Sequence, residues 1–221
     1  MERSIKLYVL LCSLFCTIIV TGNLIFQKFV IINLLALEFE LSVGVLLYPA
    51  TFLISDLVTE FYGNKYANAM IKTSVLCSLV VMGLIMTGDY FPATSWSNID
   101  DDHFHKMFSV YIVASLGSII ATFFAQVLDV KIFSYLKALT NSKHLWLRNN
   151  LSTIIAQIID TILVLTILCF AEILAWENYS KIAENSIAFK IIASLIATPF
   201  CYLGYYWIKS KNLISETEVL S

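Results

Sequence analysis

The chain has 221 residues, of which 59% are hydrophobic and only 14% charged, and its formal net charge is −2. A water-soluble domain carries about 25% charged and about 45–50% apolar residues, so this surplus excludes a fold solvated by water on every side and makes lipid the solvent for part of the surface. With 7 Gly and 3 Pro the chain is neither disordered nor loop-rich, and its apolar runs are continuous rather than alternating, which disfavours an outer-membrane barrel.

Six segments, at about 7–27, 41–61, 70–88, 109–133, 151–173 and 189–208, approach the ~20 residues that cross a bilayer core. The expected fold is therefore all-α, a single six-transmembrane-helix bundle covering 1–221. The first segment follows Arg3 and Lys6 and ends at Asn23, Gln27 and Lys28 without a small-residue cleavage pattern, so it reads as a retained signal anchor. Between the first two segments, and again at Asp100, Asp101 and Asp102, the loops are acidic. Asp102, His103 and His105 lack metal-ligand spacing and read as a solvated loop. Cys12, Cys16, Cys77, Cys169 and Cys201 all fall in apolar runs and read as small hydrophobes. With the N-terminus inside, ten of the 14 Lys and Arg lie on the N-terminal side and four opposite. That bias places both termini in the cytoplasm.

Four carboxylates fall in or beside the spans: Asp56, Glu60, Asp129 and Asp160. An Asp at a helix centre costs about 2.5–3.5 kcal/mol on insertion scales, so these side chains are expected to face the bundle interior. Helical spacing supports this. Phe52, Asp56, Glu60 and Gly63 share one stripe, as do Asn150, Thr153, Gln157 and Asp160, and as do Ser115, Ser118, Thr122, Gln126 and Asp129. The last two stripes echo each other, since T-x-x-A-Q-x-x-D occurs at both 122–129 and 153–160. Ser115, Ser118 and Thr122 suit interhelical hydrogen bonding. Arg148 suits either a basic anchor beside Trp146 or a charge pair with Asp129 or Glu60 at an inner gate.

The segment 46–67, with Tyr48-Pro49, Phe52, Asp56, Glu60, Tyr62-Gly63 and Lys65, resembles the queuosine-precursor transporters, grouped with the vitamin uptake transporters. The run from Ala114 to Asp160, including Gln126, Asp129-Val130, Leu145-Trp146-Leu147-Arg148-Asn149-Asn150 and Gln157, carries the same resemblance. So does the last helix, with Lys190, Thr198-Pro199 and Tyr202. Two positions depart from the family pattern: Ser109-Val110-Tyr111 replaces a Pro-Arg pair, and Val164 an aromatic residue. The resemblance implies an inner-membrane importer of 7-deazaguanine bases such as queuine, preQ0 or preQ1, used in tRNA modification salvage. Phe52, Asp56, Glu60, Gln126, Asn150, Gln157 and Asp160 are the candidate substrate-binding residues. Asp129 and Arg148 are the candidates for gating or an ion pair.

A secondary carrier, proton-coupled through Asp160 or Glu60, is the favoured mode. The alternative is the substrate-binding subunit of an energy-coupling-factor importer, which requires an ATPase partner. Such subunits dock through small residues on helix 1, and residues 7–27 contain no alanine. No P-loop, no G-x-S-x-G and no glycine-flanked aspartate motif occurs, so neither enzymatic activity nor a cofactor is expected. The expected partners are the small-molecule base and the bilayer, with no nucleic acid and no metal.

Overall fold

The computed structural model describes residues 2–26, 28–34 and 37–210. In chain order its elements are α1 (Glu2–Ile25), β1 (Phe29–Leu34), β2 (Leu37–Ser42), a 3-10 turn (Val43–Leu47), α2 (Tyr48–Tyr90), α3 (Asp101–Leu139), α4 (Leu145–Phe170), a second 3-10 turn (Trp176–Asn178) and α5 (Tyr179–Ser210). Among the described residues, five helices are long and apolar enough to cross a membrane. The sequence predicts six. The difference lies in α2, whose 43 residues hold most of the 41–61 segment and all of 70–88.

Gly63 divides α2. Its φ of 80° and ψ of 174° are non-helical, in a region that only glycine enters without strain. The chain reverses there. Thr122 of α3 contacts the Tyr48 hydroxyl at 2.6 Å and also lines a crevice with Ser74 and Ser78, whereas a straight helix would hold Tyr48 and Ser78 about 45 Å apart. The limbs 48–62 and 64–90 thus lie side by side. Phe15 and Ile19 of α1 fill the seam, meeting Ile54 and Val58 of one limb and Ala67, Met70 and Ile71 of the other. A β-carbon at Gly63 would meet nothing within 4 Å. Gly63→Ala is therefore expected to cost about 1–3 kcal/mol through backbone strain alone, read as a lower unfolding midpoint in detergent. An unchanged midpoint would contradict the strained turn.

Contact registers give the remaining directions. Thr51 meets Gln126, and Ser55 meets Asp129, so the first limb of α2 runs parallel to α3. Thr122 meets Asp160 while Arg148 lies over Phe133, so α4 runs antiparallel to α3. Lys190 meets Asp160 while Tyr202 accepts from the Trp146 amide, so α5 runs antiparallel to α4. Leu7 and Ile208 share one cluster with Leu57, Phe133, Leu145 and Cys201. The start of α1 and the close of α5 therefore occupy the same end of the bundle.

The bundle is apolar outside and polar inside. Leu76, Leu84, Phe124, Leu195 and Leu203 are exposed, while Asp56, Gln126, Asp129, Arg148, Gln157, Asp160 and Lys190 are buried. That inversion matches a lipid-solvated exterior around a polar interior. Trp146 and Trp207 are exposed near one end, Trp96 and Trp176 near the other, positions suited to the two interfacial belts.

Three expectations change. The stretch between α1 and α2 is an antiparallel hairpin, with Phe29 opposite Ser42 and Leu34 opposite Leu37, so the fold is not purely helical. Phe39 and Leu41 bury against Phe189, and between them Glu40 points outward to Lys181 at 2.7 Å. The acidic stretch 100–105 is a helix start rather than a loop. Asp100 caps α3 by accepting from the His103 amide at 2.8 Å, and that bond holds its carboxyl below the usual range while the same carboxylate raises the His103 imidazole. Finally, α4 and α5 begin at Leu145 and Tyr179, because their polar first turns are helical although their hydropathy is low.

Candidate functional site

A cavity of about 130 Å³ opens among α1, the hairpin, α4 and α5, at the end of the bundle away from Leu7 and Ile208. Phe26, Val164, Leu165 and Leu168 form its apolar walls, and Tyr48, Asp160 and Lys190 are its principal polar lining. At its mouth the backbones of α1 and the first 3-10 turn touch: a β-carbon on Gly44 would lie 2.6 Å from the Gly22 carbonyl oxygen.

The polar lining is one connected network. The Lys190 ammonium donates to Asp160 Oδ2 at 2.9 Å and to the Thr161 hydroxyl at 2.9 Å. It also stands 4.6 Å from the Tyr48 ring centroid, a cation–π distance. Thr122 joins the Tyr48 hydroxyl at 2.6 Å and donates to Asp160 Oδ1 at 3.4 Å. Nearby, Asn23 accepts from Ser118 at 2.7 Å, while its buried amide nitrogen has no hydrogen-bond partner among the described residues. A buried ammonium and carboxylate remain charged in such a setting only when paired and hydrogen-bonded. Here each is.

Beyond the cavity floor the polar residues continue toward the other end. Gln126 donates to Thr51 at 3.3 Å, and the Gln157 amide, one turn from Asp160, makes no hydrogen bond to the described residues. Asp56 and Asp129 follow, each buried, with Ser55, the residue before Asp56, donating to Asp129 at 3.1 Å. The stack ends in a charge cluster. Arg148 Nη2 reaches Glu60 Oε1 at 2.7 Å, and Lys137 Nζ reaches Glu60 Oε2 at 3.1 Å. Arg148 also donates to the Lys143 carbonyl at 3.3 Å, so the cluster ties together the first limb of α2, α3, α4 and the α3–α4 turn.

Of the residues singled out from sequence as substrate-binding, Asp160 lines the cavity; Phe52, Asp56, Glu60, Gln126, Asn150 and Gln157 do not. Phe52 lies in a separate small crevice with Asn149 and Thr153. The Asn150 side chain is engaged between helices, donating to Thr198 at 2.9 Å and accepting from it at 3.0 Å. Arg148 takes Glu60, not Asp129, as its partner. Tyr48 and Lys190 had only family resemblance or a generic stacking role to mark them, and Asn23 only its place at the end of the first apolar run. The sequence echo acquires a geometry: Thr122 contacts Asp160, while Thr153 lies beside Asp129, so antiparallel α3 and α4 present the same Thr and Asp to each other reciprocally.

A lipid-facing helical bundle with a cavity entered from one end, a buried charge pair on its floor and an ion-paired seal toward the other end has the plan of a multi-pass membrane transporter. Comparison with known proteins agrees. Residues 42–204 match the family described as "Putative vitamin uptake transporter", and the chain belongs to that family. It is 28% identical over 178 residues to the "Probable queuosine precursor transporter" of Bacillus subtilis (strain 168), covering 80% of this chain and 74% of that protein. No solved structure matches significantly.

Proposed function

We propose that the protein imports 7-deazaguanine queuosine precursors, such as queuine, preQ0 or preQ1, across the bacterial inner membrane as a secondary carrier. The two limbs of α2 serve as separate crossings, making six, with both termini cytoplasmic. The cavity then faces outward, and the Glu60, Arg148 and Lys137 cluster closes the cytoplasmic end.

The observation that carries this reading is the Asp160–Lys190 pair on the floor of a mostly apolar cavity. A 7-deazaguanine keeps guanine's edge, with a ring N–H and an amino group side by side next to a carbonyl oxygen. A carboxylate accepts from both donors, as acidic side chains accept from base amino groups elsewhere. The neighbouring ammonium donates to the carbonyl oxygen, so Asp160 and Lys190 together complement the whole edge. Tyr48 offers a ring face, and stacking of a base on an aromatic side chain is worth about 1–3 kcal/mol. The apolar walls exclude water and suit the faces of a flat ring system. The family membership and the name of the B. subtilis relative support the same ligand class.

Complementation tests the proposal. The gene is expressed in a bacterium that makes no queuosine precursors, lacks its own carrier and retains the enzymes that use each compound. Queuine, preQ0 and preQ1 are supplied separately at low concentration, and queuosine in tRNA is quantified. Restoration by at least one compound is expected. No restoration by any of them, with the protein shown to be in the membrane, would remove this substrate class.

A further inference from the structure

Beneath the cavity are two carboxyl groups for which no ion pair with a cation is found among the described residues. Asp56 and Asp129 are both fully buried, one on the first limb of α2 and one on α3, and the Asp129 carboxyl acts electrostatically on Asp56, the residue after Ser55. Ser55 donates to Asp129 at 3.1 Å, and Ser152 and Thr153 lie beside it. Neither oxygen of Asp56 accepts a hydrogen bond from an N–H or hydroxyl among the described residues.

The groups facing this pair explain why no cation serves it. Glu60 follows Asp56 by one turn on the same limb. Lys137 of α3 and Arg148 of α4 are both engaged by Glu60, and Lys190 of α5 is engaged by Asp160. Cys201 of α5 is a further titratable neighbour of Asp56 and Glu60. Three carboxyls, Asp56, Glu60 and Asp129, therefore face two cations, Arg148 and Lys137, leaving one negative charge uncompensated if all are ionised. Two adjoining carboxylates in a dry interior do not both ionise; they hold one proton between them. That single proton brings the cluster to neutrality.

The geometry points to Asp56 and Asp129 as a one-proton site through which import is coupled to the proton gradient, an inference that rests on the carrier reading above. The position fits the task. Asp56 lies two turns, about 12 Å, beyond Tyr48 on the cavity floor, and one turn before Glu60 in the seal. Loading occurs while the cavity faces outside, the proton coming from external water. When the proton leaves to cytoplasmic water, the pair regains a negative charge beside Arg148. The guanidinium then has two carboxylate partners to choose between, and moving from Glu60 toward Asp56 loosens the seal. Base and proton thus cross in one cycle, with one proton bound and one released.

The test uses the full-length protein in liposomes, with labelled queuine as substrate and an internal pH dye. Under an inward proton gradient the wild type should concentrate queuine above equilibrium and acidify the lumen by about one proton per base. Asp56→Asn and Asp129→Asn, each unable to share that proton, should drop the accumulation ratio to one while exchange of internal for external queuine continues. Asp129→Glu, which keeps the proton site, should retain gradient-driven accumulation and guards against misfolding as the cause of loss. Undiminished accumulation in Asp56→Asn or Asp129→Asn, or queuine movement by the wild type without proton entry, would overturn the assignment. A second reading needs no substrate. Infrared spectra of the wild type at neutral pH should show a buried protonated-carboxyl band that both Asn variants lack. If the band is present but none of queuine, preQ0 and preQ1 exchanges, the substrate reading fails and the proton site stands; if the band is absent, the proton site fails whatever is transported.

Discussion

Asp160→Asn is expected to lower the initial rate of queuine uptake about 100-fold or more, with the protein still inserted in the membrane. The carboxylate lies 2.9 Å from Lys190 and lines the cavity. An amide of the same shape replaces one of its acceptor oxygens by a donor, which opposes the donor edge of the base. Disrupting one member of a buried, hydrogen-bonded charge pair costs 2–5 kcal/mol or more, and each ~1.4 kcal/mol is a factor of ten. A purely structural pair behaves differently. If Asp160 and Lys190 only joined α4 to α5, the neutral combination Asp160→Asn with Lys190→Met would restore both stability and uptake. With the pair in the substrate site, that double variant should be folded and inactive. Uptake near wild type in it would remove the pair from the substrate site.

The second large effect lies in the seal. Arg148 is almost completely buried, 2.7 Å from Glu60 and stacked over Phe133 at 5.4 Å. Arg148→Met leaves the Glu60 carboxylate with Lys137 alone, and breaking a buried pair in this way costs about 3–5 kcal/mol. For a chain of this size that is a fall of about 10 °C in unfolding midpoint, measurable in detergent. Adding Glu60→Leu removes the stranded charge. The freed Lys137, already partly exposed, extends its ammonium toward water. The double variant should therefore regain most of the midpoint yet fail to accumulate queuine, because a seal without charges has nothing to exchange during the cycle. Full transport by the stable double variant would reduce the cluster to interhelical glue.

How much of this could be read from the sequence depends on which physical signal each feature carries. Continuous hydropathy marked every helix, and the buried carboxylates announced themselves because lipid makes them expensive. The hairpin 29–42 was readable in principle, since the Leu37–Ser42 strand alternates apolar and polar residues, but two acidic side chains there suggest a loop instead. The reversal at Gly63 left only a polar break between two apolar segments, and whether such a break is a loop or a single strained residue is a backbone question. Within the site, stripes on separate helices showed which residues face inward but not at what depth. Asp56, Glu60, Asp129 and Asp160 look alike from spacing. Their different surroundings follow from which helix lies opposite: Lys190 beside Asp160, Arg148 and Lys137 paired to Glu60, and Asp129 beside Asp56, with Arg148 acting on it only from its pairing with Glu60. Lys190 itself, a lone lysine near a predicted helix end, reads as an ordinary basic residue until α5 is seen to begin eleven residues earlier at Tyr179.

The most direct measurement is queuine counterflow in liposomes holding the purified full-length chain, wild type beside Asp160→Asn. Vesicles preloaded with unlabelled queuine should take up labelled queuine transiently above equilibrium with the wild type, and not with the variant. Absence of wild-type counterflow with queuine and likewise with preQ0 and preQ1, or equal counterflow in wild type and variant, would contradict a base carrier whose substrate site is built on Asp160.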